Sequence, residues 1–186
     1  MRIISGNHKG KKIIEPKDKT TRPLKDITKE ALFNVLQHST IFNFNIVNAN
    51  ILDLFSGVGS FGLECLSRGA SRVFFAENYK PAIEILKKNI TILNYKERSD
   101  IIEKDIFNKN SFDKIKINFD LIFVDLPFKE ERLLELFSII NKKKLPKDDS
   151  LIIFHRHKNT KDAFPDYFKI IIEKTYGKSK IIFGKI

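Results

Sequence analysis

The chain has 186 residues, 42% hydrophobic and 31% charged, with a formal net charge of +11 and one cysteine. That size and balance suit one globular domain with a real core and exclude a disordered or fibrous chain; no run of about 18 apolar residues offers a membrane span. The lone Cys65 excludes an intramolecular disulfide and, with a start (1–6) too briefly apolar for a signal peptide, makes the cytoplasm the expected location. The positive charge makes a polyanion the expected partner, nucleic acid ahead of an anionic membrane, although surface lysine can also be simple filler.

Residues 2–15 carry two β-branched runs around a turn-rich centre (6–10), the pattern of a hairpin. Thr21, Arg22 and Pro23 then break the chain, and Asp26 is placed to cap a helix over 27–38 with Ala31, Leu32, Val35 and Leu36 on its apolar face. From residue 51 strands and helices alternate: strands at 51–55, 72–77, 100–103, 119–124 and 151–155, helices at 61–67, 81–93 and 130–141. Two closing runs, 168–174 and 180–185, are joined through Gly177 as a hairpin. This order predicts an α/β, three-layer Rossmann-like fold, mostly parallel, with an antiparallel C-terminal hairpin. Residues 1–45 are then an appendage on a core spanning 46–186, since a hairpin and one helix cannot bury a core of their own.

The segment Asp53-Leu54-Phe55-Ser56-Gly57-Val58-Gly59-Ser60-Phe61-Gly62 puts a glycine turn and a helix start at the carboxyl edge of the sheet, where open α/β sheets bind ligands. Gly57 and Gly59 allow close backbone approach to a ligand or a positive φ, Phe55 precedes them, and Asp53 could receive the ammonium of an amino-acid moiety. The Gly-x-Gly-x-x-Gly pattern also fits a pyridine dinucleotide, but an acidic residue just before the glycines suits a cationic group better than a pyrophosphate. Glu77, with Asn78 after it, ends an apolar strand and can accept from both hydroxyls of a ribose. Asp105 could accept from an adenine amine while Ile106 packs on the ring.

Asp125-Leu126-Pro127-Phe128 is the most chemically specific element. The lone pair of a nucleobase amine is delocalised into its ring. Two acceptors on its hydrogens, the Asp125 carboxylate and the Leu126 carbonyl, favour a pyramidal nitrogen facing a methyl donor. Pro127 fixes the chain path and Phe128 offers a face for an extruded base. His155 and His157 share a strand face, but the sequence shows no carboxylate or cysteine partner for them, so no metal site is expected.

At these residues the chain resembles the bacterial RsmD-type 16S ribosomal RNA guanine-N2 methyltransferases, nearly end to end. The likeness is carried by 1–6 and 9–11, Thr21-Arg22-Pro23, Lys29-Glu30-Ala31-Leu32-Phe33-Asn34-Val35-Leu36, the glycine segment through Glu64, 67–70, Asp125 to Phe128, and Tyr176-Gly177. It implies a class I methyltransferase fold, S-adenosyl-L-methionine as cofactor, and a guanine of small-subunit RNA as target, in a partly assembled subunit rather than naked RNA. Where the family has Asp-Pro-Pro-Tyr, this chain has Leu126 and Phe128, keeping the carbonyl and the ring but losing a proline and a hydroxyl.

Arg2, Lys9, Lys11, Lys12 and Arg22 make the appendage basic, as a surface tracking RNA phosphates would be. The expected protein is a monomer without metal. Two rivals stay open: an amine methyltransferase acting on adenine in RNA or DNA or on a protein glutamine, and a non-catalytic rRNA-binding assembly factor.

Overall fold

The computed structural model describes residues 1–16 and 24–186. Helix α1 (Asp26–His38) precedes an alternation of β1 (Asn50–Leu54), α2 (Ser60–Ser67), β2 (Arg72–Ala76), α3 (Lys80–Ile92), β3 (Ser99–Ile102), β4 (Phe119–Val124), α4 (Leu133–Lys142) and β5 (Pro146–His157). The hairpin β6 (Lys169–Tyr176) and β7 (Ser179–Lys185) follows. The seven strands form one sheet in the order β3-β2-β1-β4-β5-β7-β6. β1 to β5 pair in parallel; β7 inserts antiparallel between β5 and β6. The chain reverses direction in the sheet between β1 and β4, the switch point at which such sheets open a crevice.

Alternation along the strands sorts the apolar residues into two cores. On β4, Leu121 and Phe123 face one layer, with Phe75, Ile153 and Phe183; Ile122 and Val124 face the other, with Leu52, Phe137 and Phe154. Ile3, Ile13, Leu32, Phe33 and Leu36 of the N-terminal segment belong to the first layer, so this segment is bound into the same core as the sheet.

The N-terminal hairpin is looser than its sequence suggests. One antiparallel bridge, Arg2 with Lys12, and hydrogen bonds from Ile3 N–H to Lys11 (2.9 Å) and Ile13 N–H to Met1 (3.2 Å) hold it. Its firmer attachment is to α2. Buried Glu64 accepts from the backbone N–H groups of Ile4 (2.7 Å) and Ser5 (2.9 Å), and Ser67 Oγ accepts from that of His8 (3.0 Å). Lys29, fully buried on α1, reaches Glu64 from the other side.

Three expectations change. Asp26 does not cap α1: Lys25 holds the cap position in extended backbone, no side chain caps it, and Asp26 lies in the first turn facing Arg2. β5 begins at Pro146, because a register shift carries the polar stretch 147–150 along β4 and past an irregular pairing. α4 begins only at Leu133, since Glu130 and Arg132 pair with each other in the loop before it. Thr21, Arg22 and Pro23 lie outside the described residues.

Candidate active site

A cleft of about 460 Å³ opens at the carboxyl ends of β1, β2, β4 and β5, in the size range of small-ligand sites. Asp53, Phe55, Gly57, Glu77, Asn78, Asp105 and all of Asp125 to Phe128 line it. The N-terminal segment reaches the same cleft at Pro16 and Leu24. Arg2, Lys9, Lys11 and Lys12 are exposed on that segment and form no part of the wall; Arg22 lies outside the described residues.

At the end of β1, Asp53 is buried and accepts from Gly62 N–H (2.9 Å), which ties the loop back onto its strand. Burial pushes its carboxyl well above the usual range, the Gly62 N–H opposes this, and the charges of Asp125 and Glu77 add to the upward shift. The two glycines of the loop do different work. Gly57 (φ +53°) has open space where a side chain would stand, and its N–H donates to Glu77 Oε2 (2.8 Å). Gly59 (φ +86°) starts α2 with Leu86 only 2.4 Å from where a Cβ would be, so it serves helix packing and is not in the cleft wall.

Glu77 Oε1 accepts from Asn78 and Tyr79 N–H, both at 2.9 Å, so backbone donors fix this carboxylate at the rim. Asp105 accepts from Phe107 N–H (3.0 Å) in a tight turn. That turn sends Ile106 into the second core, and Phe107 takes the wall position expected for Ile106, facing Phe55 at 6.2 Å. The Arg132 guanidinium lies 3.7 Å over the Phe107 ring and holds the Glu130 carboxyl down at about 2. Ser56 lines the cleft, and its buried Oγ has no hydrogen-bond partner among the described residues.

Asp125 follows β4 directly, its N–H donating to Leu54 (3.1 Å). Here the structure corrects the sequence reading of His155, which has a carboxylate partner after all. His155 Nδ1 lies 2.8 Å from Asp125 Oδ1, and its Nε2 lies 2.9 Å from Ser179 Oγ. Register explains the meeting: Val124 pairs with Phe154, so the next residue of each strand comes side by side on one face. Arg156, also missed, points to the opposite face. It donates to the carbonyls of Leu126 (3.1 Å), Pro127 (2.9 Å) and Glu130 (3.2 Å) and pairs with Asp162 (2.8 Å). Phe128 lies edge-on to both His155 and His157. Among the described residues no group of three or more His, Cys, Asp or Glu is placed to hold a metal ion, and no helix is long and apolar enough to cross a membrane.

A glycine loop under a buried acid, an acid at the end of the next strand and an Asp-x-Pro-aromatic loop in one cleft define a Rossmann-like protein of the class I methyltransferase fold. The family model described as conserved hypothetical protein 95 matches residues 1–185. Ribosomal RNA small subunit methyltransferase D of Haemophilus influenzae is 31% identical over 182 residues, covering 95% of this chain and 89% of that protein. The Escherichia coli protein of the same name is 30% identical over 155 residues, covering 82% and 72%. The solved structure of yhhF from Escherichia coli superposes with a TM-score of 0.81 at 28% identity, over 99% of this chain and 96% of that one. The chain belongs to this family, that of the RsmD-type methyltransferases.

Proposed function

We propose that the protein moves a methyl group from S-adenosyl-L-methionine to the exocyclic N2 amine of a guanine in 16S ribosomal RNA, acting as a cytoplasmic monomer on assembled or partly assembled small subunits. The observation that carries this reading is that the Asp125–Phe128 loop and the Asp53–Gly57–Glu77 rim share one cleft. The name of the Haemophilus influenzae relative supports ribosomal RNA as the substrate.

The cleft suits this cofactor: open space at Gly57 and the fixed Glu77 carboxylate are what an amino-acid nucleoside needs. When bound, the cofactor supplies an electrophilic methyl on a sulfonium. Asp53 balances the ammonium end, Glu77 accepts from ribose hydroxyls, and Asp105 and Phe107 bound the adenine. Asp125 and the Leu126 carbonyl accept from the target amine, so its lone pair points along the transfer axis. Guanine offers N1–H and the N2 amine side by side to this carboxylate, whereas adenine N1 would meet it acceptor to acceptor. Phe128 stacks on the base, and catalysis is chiefly alignment. Residues 1–45 form the RNA-facing appendage, with Arg2, Lys9, Lys11, Lys12 and Arg22 on phosphates.

The test incubates wild type and Asp125→Ala with labelled cofactor and unmodified small subunits, then digests the RNA to nucleosides. N2-methylguanosine is expected from wild type and a fall of about 100-fold or more from the variant. Methyladenosine instead would favour the adenine reading; no transfer despite cofactor binding would favour the assembly factor.

Asp53 adds a pH-linked expectation. Its folded-state acid is weaker than the ordinary 3.8, so above that pH the unfolded chain releases a proton that the fold retains, and stability falls as pH rises through this window. Asp53→Asn keeps the acceptor for Gly62 N–H and removes this cost. Its melting temperature at neutral pH should rise, while cofactor affinity by calorimetry drops roughly tenfold for want of a counter-charge. A lower melting temperature with unchanged affinity would refute both halves.

A further inference from the structure

Both acceptors of the Asp125–Phe128 loop receive hydrogen bonds from consecutive residues of β5, His155 on the carboxylate and Arg156 on the Leu126 carbonyl. Arg156 also spans three carbonyls and a buried acid, which makes it a structural clamp. His155 touches little else that is polar: one nitrogen meets Asp125 and the other meets Ser179. It is 5% exposed, walled by Phe128, and lines the cleft.

We propose that His155 is a positioning residue for methyl transfer, holding the Asp125 carboxylate by Oδ1 so that Oδ2 is aimed at the target amine. The inference rests on the methyltransferase reading above. A carboxylate only accepts, so Nδ1 is the donor of this hydrogen bond, and Ser179 Oγ fixes the far side of the ring. The consequence is rotational. Asp125 lines the cleft on a short side chain, and a carboxylate free to turn would spend most of its time with neither oxygen on the line of transfer. Tying one oxygen to a buried ring on the neighbouring strand removes that freedom before substrate arrives, the kind of preorganisation on which alignment catalysis depends.

The test compares three variants in steady-state methylation of unmodified small subunits, with calorimetric cofactor binding alongside. His155→Phe keeps the ring volume and loses both nitrogens; His155→Asn puts an amide donor near the place of Nδ1. His155→Phe should lower kcat by roughly 10- to 100-fold, with KM for subunits and cofactor Kd changed by no more than about twofold. His155→Asn should recover to within roughly fivefold of wild type. In an Asp125→Ala background His155→Phe should lower the rate no further, because His155 acts only through that carboxylate. A purely structural role predicts the reverse: thermal destabilisation, equal losses for Phe and Asn, and additive losses in the double variant. Either that pattern or a fully active His155→Phe overturns the inference while leaving the methyltransferase reading intact. A wild type that binds cofactor yet transfers no methyl group overturns both.

Discussion

Replacing Arg156 with methionine should cost about 3–5 kcal/mol of folding stability, among the largest effects of any single change in this protein. Arg156 and Asp162 are 2% and 4% exposed, so methionine leaves a buried carboxylate without its counter-charge. Three carbonyls lose a donor as well, those of Leu126, Pro127 and Glu130. Urea unfolding should show a lower midpoint at unchanged slope. Arg156→Met combined with Asp162→Leu should recover part of the loss, since a buried ion pair removed whole is far less costly than one broken in half. Arg156→Lys should fall between, because an ammonium cannot serve a carboxylate bidentately and three divergent carbonyls together. A single variant within 1 kcal/mol of wild type would mean that Asp162 finds water or a proton instead. The same change bears on function. Arg156 sets the path of the chain after Asp125, so methyl transfer should fall more steeply than cofactor binding.

The legible part of this protein is the part written in local pattern. Strand 119–124 could be read residue for residue, because an apolar run after Asn118 and before Asp125-Leu126-Pro127 has no other use in an α/β chain. The glycine loop, Glu77 and Asp125 were legible for the same reason: each sits where a strand ends, and strand ends in such sheets meet at one edge. Contacts set by register were not legible. Asp125 and His155 are thirty residues apart, and only the pairing of Val124 with Phe154 brings them together. That pairing could have been inferred by aligning the two apolar runs, which would have given His155 its partner. Arg156 carried a weaker signal, a cation in the inward phase of a buried strand. Ile106 and Phe107 were exchanged because a turn closed by Asp105 decides which side chain faces the cleft. The positive φ of Gly57 and Gly59 follows from residue type, whereas the packing of Leu86 against Gly59 is a long-range contact that the sequence does not show.

The attachment of the N-terminal segment is a further contact that local pattern hides, and it leads to the second large effect. Glu64→Leu should destabilise the fold by about 3–5 kcal/mol, because Glu64 stands at the centre of a buried network. Its carboxylate accepts from Ile4 N–H, Ser5 N–H and Arg68 Nε (2.8 Å) and lies 3.6 Å from Lys29 Nζ. Leucine would orphan two backbone donors and leave the Lys29 ammonium, fully buried, with Arg2 O (2.7 Å) and Ser60 Oγ (3.3 Å) as its hydrogen-bond acceptors among the described residues, and with Arg68 repelling it. Burial already lowers the Lys29 ammonium below its ordinary 10.5, and Glu64 is the main influence holding it up. Without Glu64 it falls further. Between that lowered value and 10.5 the unfolded chain binds more protons than the folded one, so stability in this window rises with pH. The deficit of Glu64→Leu relative to wild type should therefore narrow as pH is raised from 7 towards 10, which denaturant titrations at several pH values would reveal. A deficit that widens with pH would show that the Lys29 charge is not the source of the loss. Hydrogen exchange offers a local check: the amides of Ile4 and Ser5 should lose protection before those of β4. Release of the basic N-terminal segment should weaken methylation of subunits well before it weakens cofactor binding, separating RNA docking from cofactor binding by one substitution at the joint between that segment and α2.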